Sequence, residues 1–142
     1  MKYFAYDGDA DAEYARRVTT VSLSADTRGI VAMEDDHRIH AGIVLFDQFT
    51  ENSCTAHISI TNPMALRGLH IEAFKYAFNQ LDKSMILGPV ESDNKKALKL
   101  NAHFGFTEVA RIKDAYADGV DLVLLQMKRE DCKYLIKMKE AA

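Results

Sequence analysis

The stretch from Asp93 to Phe106, DNKKALKLNAHFGF, places polar groups where chemistry can use them. Its spacing predicts a short amphipathic helix over 94–104, stopped by Gly105 and followed at once by a strand. Asn94, Ala97, Leu98 and Asn101 recur at intervals of three and four and therefore share one stripe. Lys95, Lys96 and Lys99 form a local basic patch on the same helix. An asparagine on an inward stripe offers N–H donors to developing negative charge, but it cannot release a proton near neutral pH. Each asparagine also has a structural reading. Asn94 suits a helix cap or first turn after Asp93, and Asn101 suits a half-buried amide bonded to backbone.

That stripe acts only if other elements hold it. Lys2 to Tyr6 reads as a short strand, and 9–18 as a helix with Asp9 or Asp11 near its N-cap. The segment 21–26 is ambiguous. Strands follow at 27–34 and 39–46, joined by a turn at Asp35-Asp36. The run 39–46 is mainly apolar, as a strand covered on both faces should be. A polar loop over 47–53 leads to a strand over 54–61 that alternates cleanly. Cys54, Ala56, Ile58 and Ile60 point one way; Thr55, His57, Ser59 and Thr61 point the other.

Asn62-Pro63 opens a helix reaching to about Leu81, with Ile71, Phe74, Ala77, Phe78 and Leu81 as its buried stripe. A short strand over 85–90 precedes the Asn94 helix. The runs 106–113 and 120–128 read as a strand pair around the loop 114–119, and 129–139 as a tail helix. A meander followed by crossover helices makes an α/β (α+β) fold: a mixed, mainly antiparallel sheet with helices on both faces. The length of 142 residues favours one domain, 1–142.

Composition excludes several function classes. A net charge of −3 provides no global field for nucleic acid or anionic lipid. No apolar run approaches the roughly 20 residues a membrane span needs. The N-terminus has one early lysine and then acids, without the apolar core of a secretory signal, so the expected compartment is the cytoplasm. Cys54 and Cys132 are too few and too far apart for a disulfide framework or a zinc site. Cys54 reads as a small core residue and Cys132 as a partly exposed thiol on the tail helix.

The Asn94 stretch resembles the second cofactor motif of the GNAT N-acetyltransferases, N-x-x-A-x-x-L-(Y)-x-x-x-G-F, through Asn94, Ala97, Leu100, Asn101, Gly105 and Phe106. The element order is also similar, over roughly residues 1–128, with motif likeness over 60–128. The phrases ISITNPMALRG, SDNKKALKLNAHFGF and DGVDLVLLQM look like those of small acetyltransferase-like proteins from phage and prophage genomes.

The resemblance implies acetyl-CoA wedged beside a splayed central strand, here the run 54–61 ending in Ile60 and Thr61. It implies a pyrophosphate cradled at the following helix start, where R/Q-x-x-G-x-G/A aligns with Arg67, Gly68, Leu69, His70, Ile71 and Glu72. Arg67 and Gly68 fit that pattern; His70 and Glu72 replace its small residues. His70 then donates to a phosphate or packs on the Phe74 stripe. Asn94 and Ala97 would meet the pantetheine arm. Asn101 stands where the family usually has the tyrosine that protonates the leaving thiolate.

Direct attack by an amine on the thioester also needs a base and an oxyanion donor. His57 and Glu51 are the base candidates, with Asp47 and Glu91 as weaker loop acids; His57 also has an ordinary structural reading. Tyr116 or Asp118 lines the acceptor pocket if the last hairpin is more than a turn. The implied activity is an acetyl-CoA-dependent N-acetyltransferase acting on a small-molecule or protein amine. The alternative is a catalytically silent GNAT-fold phage protein with a structural or host-interaction role. Tyr134, Leu135, Ile136 and Met138 on the tail either cover a homodimer seam or pack on the sheet.

Overall fold

The structure is a computed structural model that describes residues 1–34 and 39–135. Seven strands form one sheet: β1 (Lys2–Ala5), β2 (Arg28–Glu34), β3 (Ile39–Asp47), β4 (Ser53–Ile60), β5 (Met85–Glu91), β6 (Thr107–Ala117) and β7 (Val120–Lys128). Their order is β1-β2-β3-β4-β5-β7-β6. Every neighbouring pair is antiparallel except β4 and β5. Among the described residues the α-helices α1 (Gly8–Val18), α2 (Leu66–Phe74) and α3 (Lys95–Phe104) cover it. Among the described residues no helix is long and apolar enough to cross a membrane.

Two apolar clusters lie on opposite faces. Tyr14 and Ala15 of α1 pack on Val31, Ile43 and Leu45. The larger cluster joins α2 and α3 to Val44, Phe46, Cys54 and Ile86 from the other face. Strand alternation explains the division, because successive side chains on β3 take opposite sides. On β4, Ala56, Ile58 and Ile60 belong to the α2–α3 side, as the sequence pattern requires.

Local chemistry sets the helix ends. Asp7 occupies the N-cap position of α1, and its amide donates to the Asp11 carboxylate at 2.9 Å. Gly105 ends α3 with φ +108, and its amide and that of Phe106 close on the carbonyls of Ala102 and Asn101. A residue with a Cβ adopts that φ at a cost, so glycine there is a stop signal with a mechanism.

Four expectations change. The helix after Asn62 begins as a 3-10 turn, Pro63–Ala65, and its last part, Lys75–Gln80, is wound as a π-helix. β6 runs on to Ala117, so the expected loop over 114–119 shrinks to a turn at Asp118-Gly119. Cys132 is fully buried rather than partly exposed. The tail starts with a 3-10 turn, Arg129–Asp131, and Tyr134 and Leu135 pack onto the core of their own chain. The Asp35-Asp36 turn and the tail beyond Leu135, with Ile136 and Met138, lie outside the described residues.

Candidate active site

The parallel pairing of β4 with β5 lasts for three residue pairs, from Ser53 opposite Met85 to Thr55 opposite Leu87. Beyond that point β4 still pairs with β3 as far as Ile60, and β5 with β7 as far as Glu91. The two strands therefore part within the sheet while each keeps its other neighbour. Gly88-Pro89 supplies a local reason: in the continued register Pro89 would face His57, and proline has no N–H for the ladder. A Cβ on Gly88 would meet nothing within 4 Å.

The opening is a cleft of about 790 Å³. On the α2–α3 side its wall includes Asn94, Ala97 and Asn101 of α3, with His70, Ala73 and Phe74 of α2. Toward α1 it includes His57, Ser59 and Asp47, the segment 17–22 after α1, and Glu91 and Tyr116. Ser59 fixes that segment by donating from its hydroxyl to the Val18 carbonyl at 3.0 Å.

His57 and Asp47 form the most organised pair in the cleft. His57 lies opposite Leu45, and Asp47 opposite Thr55, so they are diagonal neighbours on one face of the β3–β4 hairpin. Nε2 of His57 is 2.8 Å from Oδ1 of Asp47. A carboxylate can only accept, so Nε2 carries the hydrogen of this bond, and Nδ1 is the ring nitrogen left to face the cleft chemistry. Their side chains retain 22% and 26% of their exposure, enough for a ligand to reach them.

Asn94 is the N-cap of α3. Its Oδ1 accepts from the Ala97 amide at 3.1 Å and its Nδ2 donates to Glu91 at 2.9 Å. Asn101 donates from Nδ2 to the Ala97 carbonyl at 2.9 Å. Both structural readings of these residues are realised, and both side chains still line the cleft.

Other expected site residues stand elsewhere. Glu51 is exposed in the β3–β4 loop and does not line the cleft. Thr61 faces α1, sharing a hydrogen bond with the Tyr14 phenol at 2.9 Å. Ile60 and Leu69 are core side chains. Arg67 is exposed, its guanidinium 5.9 Å from the Tyr134 ring centre. A Cβ on Gly68 would collide with the Tyr3 phenol, so packing against β1 accounts for this glycine.

His70 is buried, with its ring stacked 3.8 Å from Phe104 and Nδ1 donating to the Leu66 carbonyl at 2.7 Å. Burial lowers its pKa below the usual histidine value, so the ring is neutral and packs rather than offering charge to a phosphate. Tyr116 lines the cleft; Asp118 does not. The residues missed from the sequence are Gly88-Pro89 and the segment 17–22. Asp47 reads from the sequence only as a loop acid. The matched parity of Asp47 and His57 across a hairpin was its available signal.

No family model matches the sequence, and no curated protein matches it. Solved structures do match in shape. The chain is similar to the spermidine/spermine N-acetyltransferase SpeG of Vibrio cholerae in a manganese complex, with TM-score 0.79 and 19% identity over 96% of this chain and 95% of that one. It is similar to the spermidine N-acetyltransferase of Vibrio cholerae in complex with CoA and spermine, with TM-score 0.68 and 22% identity over 78% of this chain and 69% of the other. A ribosomal-protein-S5-alanine acetyltransferase of Vibrio fischeri matches with TM-score 0.65 and 16% identity over 75% of this chain and 63% of that one. The chain has the GNAT fold.

Proposed function

We propose that the chain is an acetyl-CoA-dependent N-acetyltransferase acting on an amine of a small molecule or a protein. One observation carries the reading: the β4–β5 gap opens between the α3 stripe and a histidine–carboxylate pair. The neighbours named for amine acetylation, one of them solved with CoA and spermine, support it.

The gap suits the pantetheine arm, because strand backbone beyond Thr55 and Leu87 has no partner across it. The Ala56–Ser59 and Gly88–Glu91 backbones, with Asn94, Ala97 and Asn101, are the groups that would hold the arm. When bound, acetyl-CoA supplies an acyl group activated as a thioester. His57 then takes the proton of the attacking ammonium at Nδ1, with Asp47 holding its Nε2–H. Asp47 and Glu91 give a cationic amine favourable company at the cleft. With asparagine at position 101, the leaving sulfur must draw its proton from the Tyr116 phenol or from water.

Titration of the purified protein with acetyl-CoA, with CoA for comparison, tests this reading. Micromolar binding followed by a mass gain of one acetyl group on an amine from a panel is the expected result. Binding without transfer to any amine favours the silent domain, which the loss of tyrosine at position 101 already recommends. The likeness to phage-encoded proteins rests on the sequence phrases alone. A cytoplasmic location and a homodimer are further parts of the proposal, to be read from fractionation and light scattering.

A further inference from the structure

We propose that this chain recognises its acyl donor through the pantetheine arm and thioester and not through the nucleotide end. Its donors are then acyl-pantetheine thioesters as a class, with or without a nucleotide attached. The inference rests on the acetyltransferase reading.

The strand-to-helix turn carries it. A pyrophosphate binds at a helix start when free backbone N–H groups point at it. Here the amides from Thr61 to Leu66 are all accounted for. Thr61 and Asn62 both donate to the Ala41 carbonyl, at 3.0 and 2.9 Å. Pro63 has no amide hydrogen. Met64 donates to the Asn62 side chain at 3.0 Å, and Ala65 to the Asn62 carbonyl at 3.0 Å. Leu66 donates to the Pro63 carbonyl.

The side chain of Asn62 is also held, donating to Glu34 at 2.6 Å, so a carboxylate already stands beside the turn. An incoming pyrophosphate would have to displace these bonds and meet that negative charge. The positions aligned with the cofactor loop fare no better. Arg67 to Glu72 lie inside α2, downstream of the 3-10 turn at Pro63–Ala65 that opens the helical run. The space beside Gly68 is filled by the Tyr3 phenol. Glu72 is a carboxylate, half-exposed and paired with Lys75 at 3.3 Å. His70 is neutral and buried.

Among the described residues the nearby cations are exposed. Arg67 and the α3 lysines Lys95, Lys96 and Lys99 all face solvent, where attraction to a phosphate is screened. The arm's half of the site is intact by contrast, since the unpaired strand edges and the α3 stripe both face the gap.

Calorimetric titration of the full chain with CoA, with pantetheine and with ADP tests the proposal. Pantetheine is expected to bind within about tenfold of CoA, and ADP not to displace CoA. S-acetylpantetheine should likewise support transfer with kcat/KM within about tenfold of acetyl-CoA. A CoA preference beyond that, or competition by ADP, overturns the inference and leaves the acetyltransferase reading standing. Absence of binding by both CoA and pantetheine at millimolar concentration overturns both.

Discussion

Two histidine–aspartate pairs face α1, and they do different things. His57 Nε2 lies 2.8 Å from Asp47, and His40 Nε2 lies 2.7 Å from Asp11. Their surroundings separate them. Asp11 also accepts the Asp7 amide at the start of α1, and His40 stacks on Tyr14 with ring centres 4.5 Å apart. Tyr14 in turn bonds Thr61. A register shift brings His40 into this group: Met33 pairs with His40 and Ala32 with Gly42, leaving Ala41 extra, so the strand changes face there. The His40 pair is a clasp between α1, β3 and the end of β4, with side chains at 13% and 12% exposure. Among the described residues the His57 pair has no such ring partner or helix end to fasten; it borders the cleft and stays about twice as accessible. Identical chemistry thus becomes structure or function according to what surrounds it.

The sharpest way to break this comparison is to exchange the consequences. His57→Ala should lower kcat/KM for acetyl transfer by about a hundredfold, the usual scale for losing a general base. Its melting temperature should stay within a degree or two of wild type. Equal activity in the variant would remove His57 from the reaction. Asp47→Asn should cost about tenfold in kcat, because an amide no longer selects the tautomer with its lone pair at Nδ1. A change confined to KM would show that Asp47 contacts the acceptor instead of positioning His57.

His40→Ala should do the reverse. It removes the partner of a largely buried carboxylate, and unfolding in urea should show a loss of about 1–3 kcal/mol. The folded variant should retain kcat/KM within about twofold. A large loss of activity with unchanged stability would mean that the clasp, too, belongs to the site.

The sequence made one half of this comparison easier to see than the other. Strand alternation over 54–61 placed His57 with Thr55 and Ser59, and the structure keeps that side. The clasp was invisible because it depends on one extra residue in β3, and periodicity cannot register a one-residue bulge in an apolar run. The helix start at Asn62-Pro63 is legible in the sequence, and it is the phosphate-loop alignment that conflicts with it. Arg67-Gly68 fits a phosphate loop as a motif, but Asn62-Pro63 is the stronger local start signal, and the chain is helical from Pro63 onward. The close approach of Tyr3 to Gly68 is a tertiary contact between residues far apart in sequence, with no local trace. The α3 stripe was legible throughout, because Asn94 and Gly105 cap both of its ends.

His70 gives the smallest expected effect, and its sign can be worked out. The ring is stacked on Phe104 and its Nδ1–H is held by the Leu66 carbonyl, so added charge would reside in an aromatic pocket. Burial is the main cause of its lowered pKa; the Leu66 bond opposes it. Unfolding releases the ring to its ordinary value of 6.5. Between the lowered value and 6.5 the unfolded chain binds more protons than the folded one, so stability rises with pH through that window. The contribution is complete above 6.5 and declines as acid approaches the folded value. His70→Phe keeps a ring against Phe104 and cannot titrate. Its melting temperature should therefore fall less steeply than wild type as pH is lowered from about 7 to about 5. The comparison is one of slopes, so any constant offset from losing the Leu66 bond does not enter. Parallel slopes would show that His70 is already solvated enough to charge in the folded state, and would return it to the groups that can meet a phosphate.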